Sequence, residues 1–270
     1  MTIILILLII AGVVGGLIAG LFGLGGGILF TPVLLFLFQS IGIEDPVLWT
    51  LGTSLLCNFT ASVSSSFKHY QTDNLFVREA MMVGLFGIAG SFIGRMLATS
   101  PIYNEFEFTI FFSLILIYSA YHFFRKKPSE IETGRNVKKM RWYHAVAIGL
   151  SSGMLATLAG VGGGLLLVPA MTVLLSFGYR KVVSISSMAI TLITLSGWGQ
   201  LALLSPVSES YSGLSLGYVD FGMALPLIIG GLYGARYGVG LVHVFRLRTL
   251  EIGFGLLVLF VVARLIYGLL

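Results

Sequence analysis

The 270-residue chain is 57% hydrophobic and only 10% charged, with a mean hydropathy of +0.99. A folded water-soluble surface of this length carries many more Lys, Glu, Arg and Asp, so a soluble globular domain is excluded. The net charge is +5, and the single cysteine, Cys57, leaves no disulfide framework, metal cluster or dithiol pair.

Charge-free windows run from Thr2 to Ile43, Pro46 to Phe67 and Val182 to Ser208. A span needs about 20 apolar residues to cross a hydrocarbon core of about 30 Å, so the chain reads as an all-α polytopic membrane protein. Its apolar runs are too continuous for the alternation of an outer-membrane barrel. The basic excess lies in short loops, where it sets orientation in the membrane, and nucleic acid is not an expected partner. The N-terminus lacks a basic n-region and a small-residue cleavage signal, and reads as a retained span.

In chain order the hydropathy predicts segments at 3–22, 28–40, 47–67, 79–98 and 106–124, then 142–159, 165–178, 182–204, 219–240 and 249–268. The chain therefore divides into a first repeat, 1–124, a basic cytoplasmic linker, 125–141, and a second repeat, 142–270. The linker holds seven basic residues against Glu130 and Glu132.

The halves share a motif. Gly23 to Gly27 reads Gly-Leu-Gly-Gly-Gly, Gly160 to Gly164 reads Gly-Val-Gly-Gly-Gly, and the copies stand 137 residues apart. Pro32 and Pro169 follow at equal distance, and at the same offset Gly12, Gly16 and Ala19 fall on Gly149, Gly153 and Ala156. With a small gap, Gly52-Thr53-Ser54 falls near Ser186-Ser187-Met188, and Gly90-x4-Arg95 resembles Gly231-x4-Arg236.

Corresponding loops change character. Glu44 and Asp45 face Arg180 and Lys181, the loop from Lys68 to Arg78 faces a Ser205–Val219 loop without basic residues, and Glu105 faces His243, Arg246 and Arg248. The positive-inside rule then predicts two inverted repeats of five segments, with both termini outside the cytoplasm of a multi-pass inner (plasma) membrane protein. The second segment of each half, 13 or 14 residues, reaches only about 20 Å, so each glycine break is expected inside the membrane as a broken or re-entrant helix.

Each half-helix after a break begins with free backbone N–H groups and a partial positive charge, the ingredients of an anion site. Gly25, Gly26, Gly27, Gly162, Gly163 and Gly164 are therefore candidate substrate-binding residues. The regularly spaced glycines, Gly12, Gly16 and Gly20 or Gly230, Gly234 and Gly238, instead suit tight helix packing. The third segments are rich in neutral donors. Thr53, Ser54, Asn58, Ser186, Ser187 and Thr191 join the candidate site, with interhelical hydrogen bonding as their alternative role. Arg95, Arg236, Trp198 and Gln200 are secondary candidates, the arginines also being suited to snorkelling at helix ends.

The paired GlyGlyGly break with its trailing proline, followed by Leu51-Gly52-Thr53-Ser54-Leu55, resembles the TauE/SafE sulfite exporter family over essentially the whole chain. The second copy departs from the Gly-Thr-Ser pattern at Ser186-Ser187-Met188. The resemblance implies a transporter of small sulfur-containing anions such as sulfite or sulfonates, sulfoacetate among them. An importer or channel for sulfate, thiosulfate or another small anion is the alternative.

Histidines and carboxylates fall near segment ends, among them His69, His122, His144, His243, Glu79, Glu107 and Asp220. A proton relay normally keeps such a group within the membrane. The expected carrier is thus driven by the membrane potential, worth about 2.3 kcal/mol per charge per 100 mV, and works by alternating access. No catalytic residue, metal or cofactor is expected. The expected partners are a small anion and the lipid bilayer, and the residues carry no signal for an oligomeric state.

Overall fold

A computed structural model describes residues 2–23, 25–71, 76–125, 140–207, 210–241 and 247–267. Residues 126–139 of the expected linker, 72–75 of the Lys68–Arg78 loop, and His243 and Arg246 lie outside these residues.

Ten helices are described: α1 (Thr2–Phe22), α2 (Gly27–Ser40), α3 (Pro46–Gln71), α4 (Val77–Ala98), α5 (Glu105–Arg125), α6 (Trp142–Ala159), α7 (Gly164–Leu175), α8 (Tyr179–Ala202), α9 (Phe221–Leu241) and α10 (Leu247–Tyr267). Among the described residues three stretches, Ile4–Phe22, Val77–Ala98 and Lys181–Ala202, are long and apolar enough to cross a membrane by length and composition. The 14 residues of α2 and 12 of α7 extend only about 21 and 18 Å, short of a crossing.

Several boundaries differ from the hydropathy reading: α3 runs on to Gln71 instead of ending at 67, α8 starts at Tyr179 instead of 182, and two further shifts have a visible local cause. The segment expected at 165–178 ends at Leu175, because Ser176 takes a left-handed conformation (φ +53°) that cannot continue the helix. The segment expected from 219 begins at Phe221. Before it, Ser215–Leu216 and Val219–Asp220 form a small antiparallel hairpin, β1–β2, pairing Ser215 with Asp220 and Leu216 with Val219. Gly217 supplies the positive φ (+53°) that its turn requires, and Tyr218 N donates to Leu201 O at 3.2 Å, tying the hairpin to the end of α8. Asp220 then opens α9, accepting from Met223 N (3.0 Å) and Ser212 Oγ (2.6 Å) through Oδ1.

Small residues set the helix pairing. Gly12, Gly16 and Gly20 of α1 lie against Leu227, Gly231 and Ala235 of α9, so these two helices run in the same direction at backbone contact. A side chain at any of the three would strike α9 main chain. The same construction joins α6 to α4, where Gly149 faces Val83, Gly153 faces Gly87 and Met154 faces Gly94. At the centre α3 and α8 run in opposite directions: Leu55 packs on Gly197 while Ser65 bonds Ser187.

The first helix of each half is thus packed on the fourth helix of the other. Further contacts between the halves follow the same exchange, with α2 against α10, α7 against α5, and α5 against α10. Large side chains fill the space between, with Phe30, Phe38, Trp49, Phe108 and Phe112 nearly or fully buried. The link from α4 to α5 is pinned by Tyr103, whose hydroxyl donates to Leu158 O at 2.7 Å near the end of α6. Burial pushes the Tyr103 phenol above its ordinary range, so it stays a donor.

Candidate functional site

Both glycine runs form sharp buried tips. Gly23 and Gly25 in the first, and Gly160, Gly162 and Gly163 in the second, have φ between +61° and +81°, a region that side chains disfavour. The tips turn α1 into α2 and α6 into α7. Gly26 is the N-cap of α2 and Gly163 that of α7, and neither N-terminus receives a side-chain cap. Residues 25–28 and 162–165 are all buried, so water does not supply the missing partners from the surface. Pro32 and Pro169 each occupy the sixth residue of their half-helix and remove one further main-chain donor.

The tips touch. A Cβ on Gly27 would overlap Val161 Cα and stand 2.6 Å from Asn58 Nδ2 and 2.8 Å from Gly160 O. Three side chains of the first half donate to that carbonyl: Thr31 Oγ1 at 3.0 Å, Ser54 Oγ at 3.1 Å and Asn58 Nδ2 at 2.8 Å. Asn58 is fully buried and its Oδ1 has no hydrogen-bond partner among the described residues. Gly162 packs on Ile190 and Thr194 of α8, while Gly23 packs on Val183 and Ser186.

The structure therefore gathers Gly25, Gly26, Gly27, Ser54, Asn58, Gly162, Gly163 and Gly164 in and around the two tips. Thr53 points elsewhere, its Oγ1 accepting from Asp220 N at 3.1 Å and holding the start of α9. Ser186 donates to Val183 O at 3.1 Å beside Gly23. Ser187 and Thr191 lie along the α3–α8 seam, with Ser187 3.1 Å from Ser65 Oγ and Thr191 3.5 Å from Ser66 Oγ.

Gln200 is separate from the tips. Its Nε2 donates to Ser91 (2.9 Å) and Ser196 (2.8 Å), a polar cluster between α4 and α8. Arg95 follows Ser91 by one turn and is half-buried, whereas Arg236 is exposed on α9. Trp198 packs its ring 6.2 Å from Phe59. The sequence reading does not single out Thr31; its signal is a hydroxyl in the otherwise apolar first turns of the half-helix, immediately before Pro32. Among the described residues no group of three His, Cys, Asp or Glu is placed to hold a metal ion.

Long apolar helices, two half-helices too short to span and a buried junction between them define an integral membrane protein with broken helices at its centre. Residues 8–265 match the sulfite exporter TauE/SafE family, and the chain belongs to that family. It is similar to a probable membrane transporter protein of Methanocaldococcus jannaschii, 29% identical over 233 residues that cover 86% of this chain and 84% of the relative. A probable membrane transporter protein of Haemophilus influenzae is 25% identical over 273 residues, 95% and 96% of the two chains. The probable membrane transporter protein YunE of Bacillus subtilis is 24% identical over 283 residues, 97% of each. The protein is a membrane transporter.

Proposed function

We propose that the protein exports small sulfur-containing anions, sulfite or organosulfonates, by alternating access at the junction of the two glycine tips. The observation that carries this reading is a buried helix N-terminus without a side-chain cap at each tip, α2 at Gly26 and α7 at Gly163, where the start of α2 packs on Val161 and Gly160 of the second tip. Unpaired N–H groups and the partial charge of a helix N-terminus favour an anion, and a buried site strengthens that preference. The family description supports the sulfur chemistry.

The exchange of first and fourth helices between halves supports two related units inserted in opposite senses, 1–124 and 142–270, with the basic stretch 125–141 on the cytoplasmic side. In that arrangement one tip comes from each face, and rocking of one unit against the other exposes the junction alternately. The membrane potential, negative inside, drives an anion outward without a co-ion.

The test is flux in proteoliposomes with sulfite, sulfate, thiosulfate, sulfoacetate, taurine and acetate. Sulfite or sulfoacetate flux that follows an imposed potential, with acetate excluded, is the expected result. Transport that requires a pH gradient and ignores the potential would overturn the energetics, and a preference for cations would overturn the substrate class. A C-terminal reporter active only in the cytoplasm would overturn the orientation.

A further inference from the structure

The two half-helix N-termini differ in what surrounds them. Beside α2, the fully buried Phe30 ring fills the space next to the break: its Cζ lies 2.5 Å from where a Cβ on Gly26 would stand and 3.0 Å from the same point on Gly15. The free Asn58 Oδ1 stands 3.1 Å from the Cβ position of Gly25. An apolar ring and an unshared acceptor lone pair both oppose an anion there.

Beside α7 the corresponding positions carry a serine and a smaller apolar side chain. At the 137-residue offset Gly15 corresponds to Ser152 and Phe30 to Leu167. Ser152 O lies 2.5 Å from the Cβ position of the N-cap Gly163, and the Ala156 Cβ, one turn along the same face of α6, lies 3.3 Å from it. Ser152 and Ala156, four residues apart, share the face of α6 that packs on the start of α7. The Ser152 hydroxyl is fully buried and has no hydrogen-bond partner among the described residues, whereas its neighbour Ser151 donates to Ala147 O at 2.6 Å. A serine in a helix readily bonds the carbonyl a turn back, as Ser151 does; Ser152 keeps its donor free at the cost of leaving it unsatisfied.

We propose that the transported anion binds on the first turn of α7 alone, held by the N–H groups after Gly163 and by the Ser152 hydroxyl. The α2 N-terminus, closed by Phe30, packs against the site without touching the ligand. The ligand is a small oxyanion offering at least two acceptor oxygens, one for the main chain and one for Ser152. This placement rests on the anion-transport reading above.

The test uses the full chain in lipid nanodiscs, with sulfite and sulfate titrated calorimetrically into the wild type and Ser152→Ala. Thermal unfolding of both is measured without added anion. Loss of one hydrogen bond to a charged group is expected to weaken binding of the anion at least tenfold. Because the hydroxyl has no partner to lose, anion-free Ser152→Ala should unfold at the wild-type temperature or higher. Wild-type binding with an unchanged Kd in Ser152→Ala would overturn the placement while leaving the anion reading intact. A wild type that binds neither anion, nor any other anion of the flux panel, would overturn the anion reading itself.

Discussion

Gly27→Ala tests whether the touching tips are essential. The added methyl would overlap Val161 Cα and stand 2.6 Å from Asn58 Nδ2 and 2.8 Å from Gly160 O, where ordinary contacts need 3.4 Å or more. Two of these obstacles are main-chain atoms that no rotamer change can remove, so the tips must separate by the better part of an ångström. Overpacking of this kind costs about 1–3 kcal/mol. The same displacement stretches the 2.8 Å bond from Asn58 to Gly160 O, worth about 0.5–1.5 kcal/mol net. We expect a loss of about 2–4 kcal/mol. The control is Gly240→Ala on α9, where a Cβ meets open space and helix propensity favours alanine by up to about 1 kcal/mol. Chemical unfolding in detergent micelles and sulfite flux in proteoliposomes read out the two variants. Gly27→Ala with wild-type stability and wild-type flux would refute the reasoning, because the tips could then separate freely.

Gly26→Ala meets chiefly a side chain, the Phe30 ring, with Gly15 O at 3.0 Å, at an ordinary φ of −78°, so combining it with Phe30→Leu should recover part of the lost stability in the same unfolding assay. Gly163→Ala combines φ +81° with main-chain contact at Ser152 O, so it should lose more stability than Gly26→Ala, and enlarging no single neighbouring space should rescue it. The Glu79–Lys181 pair, 3.2 Å apart and about three-quarters buried, joins the starts of α4 and α8 while Lys181 lies 4.2 Å from the Phe177 ring centroid. Glu79→Gln should therefore cost about 1–3 kcal/mol by chemical unfolding, with only a weak dependence on salt. Thr31→Val, Ser54→Ala and Asn58→Ala each leave two donors on Gly160 O, so each alone should be mild. The triple variant orphans that carbonyl and should cost about 1–3 kcal/mol more than the sum of the single effects.

The helices were legible because each is a long apolar run broken by turn residues, and most observed ends fall within a few residues of the hydropathy boundaries. The misplaced ends depend on events hydropathy does not encode. At Ser176 a single left-handed residue stops α7, and at Asp220 the start of α9 waits for a hairpin held by Leu201 O. The tips were legible for a local reason, since consecutive glycines in an apolar chain disfavour continued helix. The partners of those tips were less so. Ser54 and Asn58 stood out as polar residues in an apolar span, but nothing local separates Ser54, on Gly160 O, from its neighbour Thr53, turned a third of the way around α3 onto Asp220 N. Thr31 acquires its role only when α2 meets the other half. Ser152 was hidden for the opposite reason: its distinction is a hydrogen bond it does not make.

The two halves share a frame but divide the work at their contact. Three first-half donors converge on Gly160 O, so the second tip is held by hydrogen bonds. Among the described residues the reverse contact is packing: Gly23 rests on Val183 and Ser186, and the Ser186 hydroxyl returns to its own helix at Val183 O. In the proposed cycle, motion that parts the tips must therefore break the Gly160 cluster, at about 0.5–1.5 kcal/mol per bond. On the proposed placement the anion meets N–H groups that begin four residues after that carbonyl, close enough for its presence to bias whether the cluster holds. Such a bias needs only a different affinity in the parted and joined arrangements. So placed, the ligand engages the second half, while Thr31, Ser54 and Asn58 of the first half supply the latch.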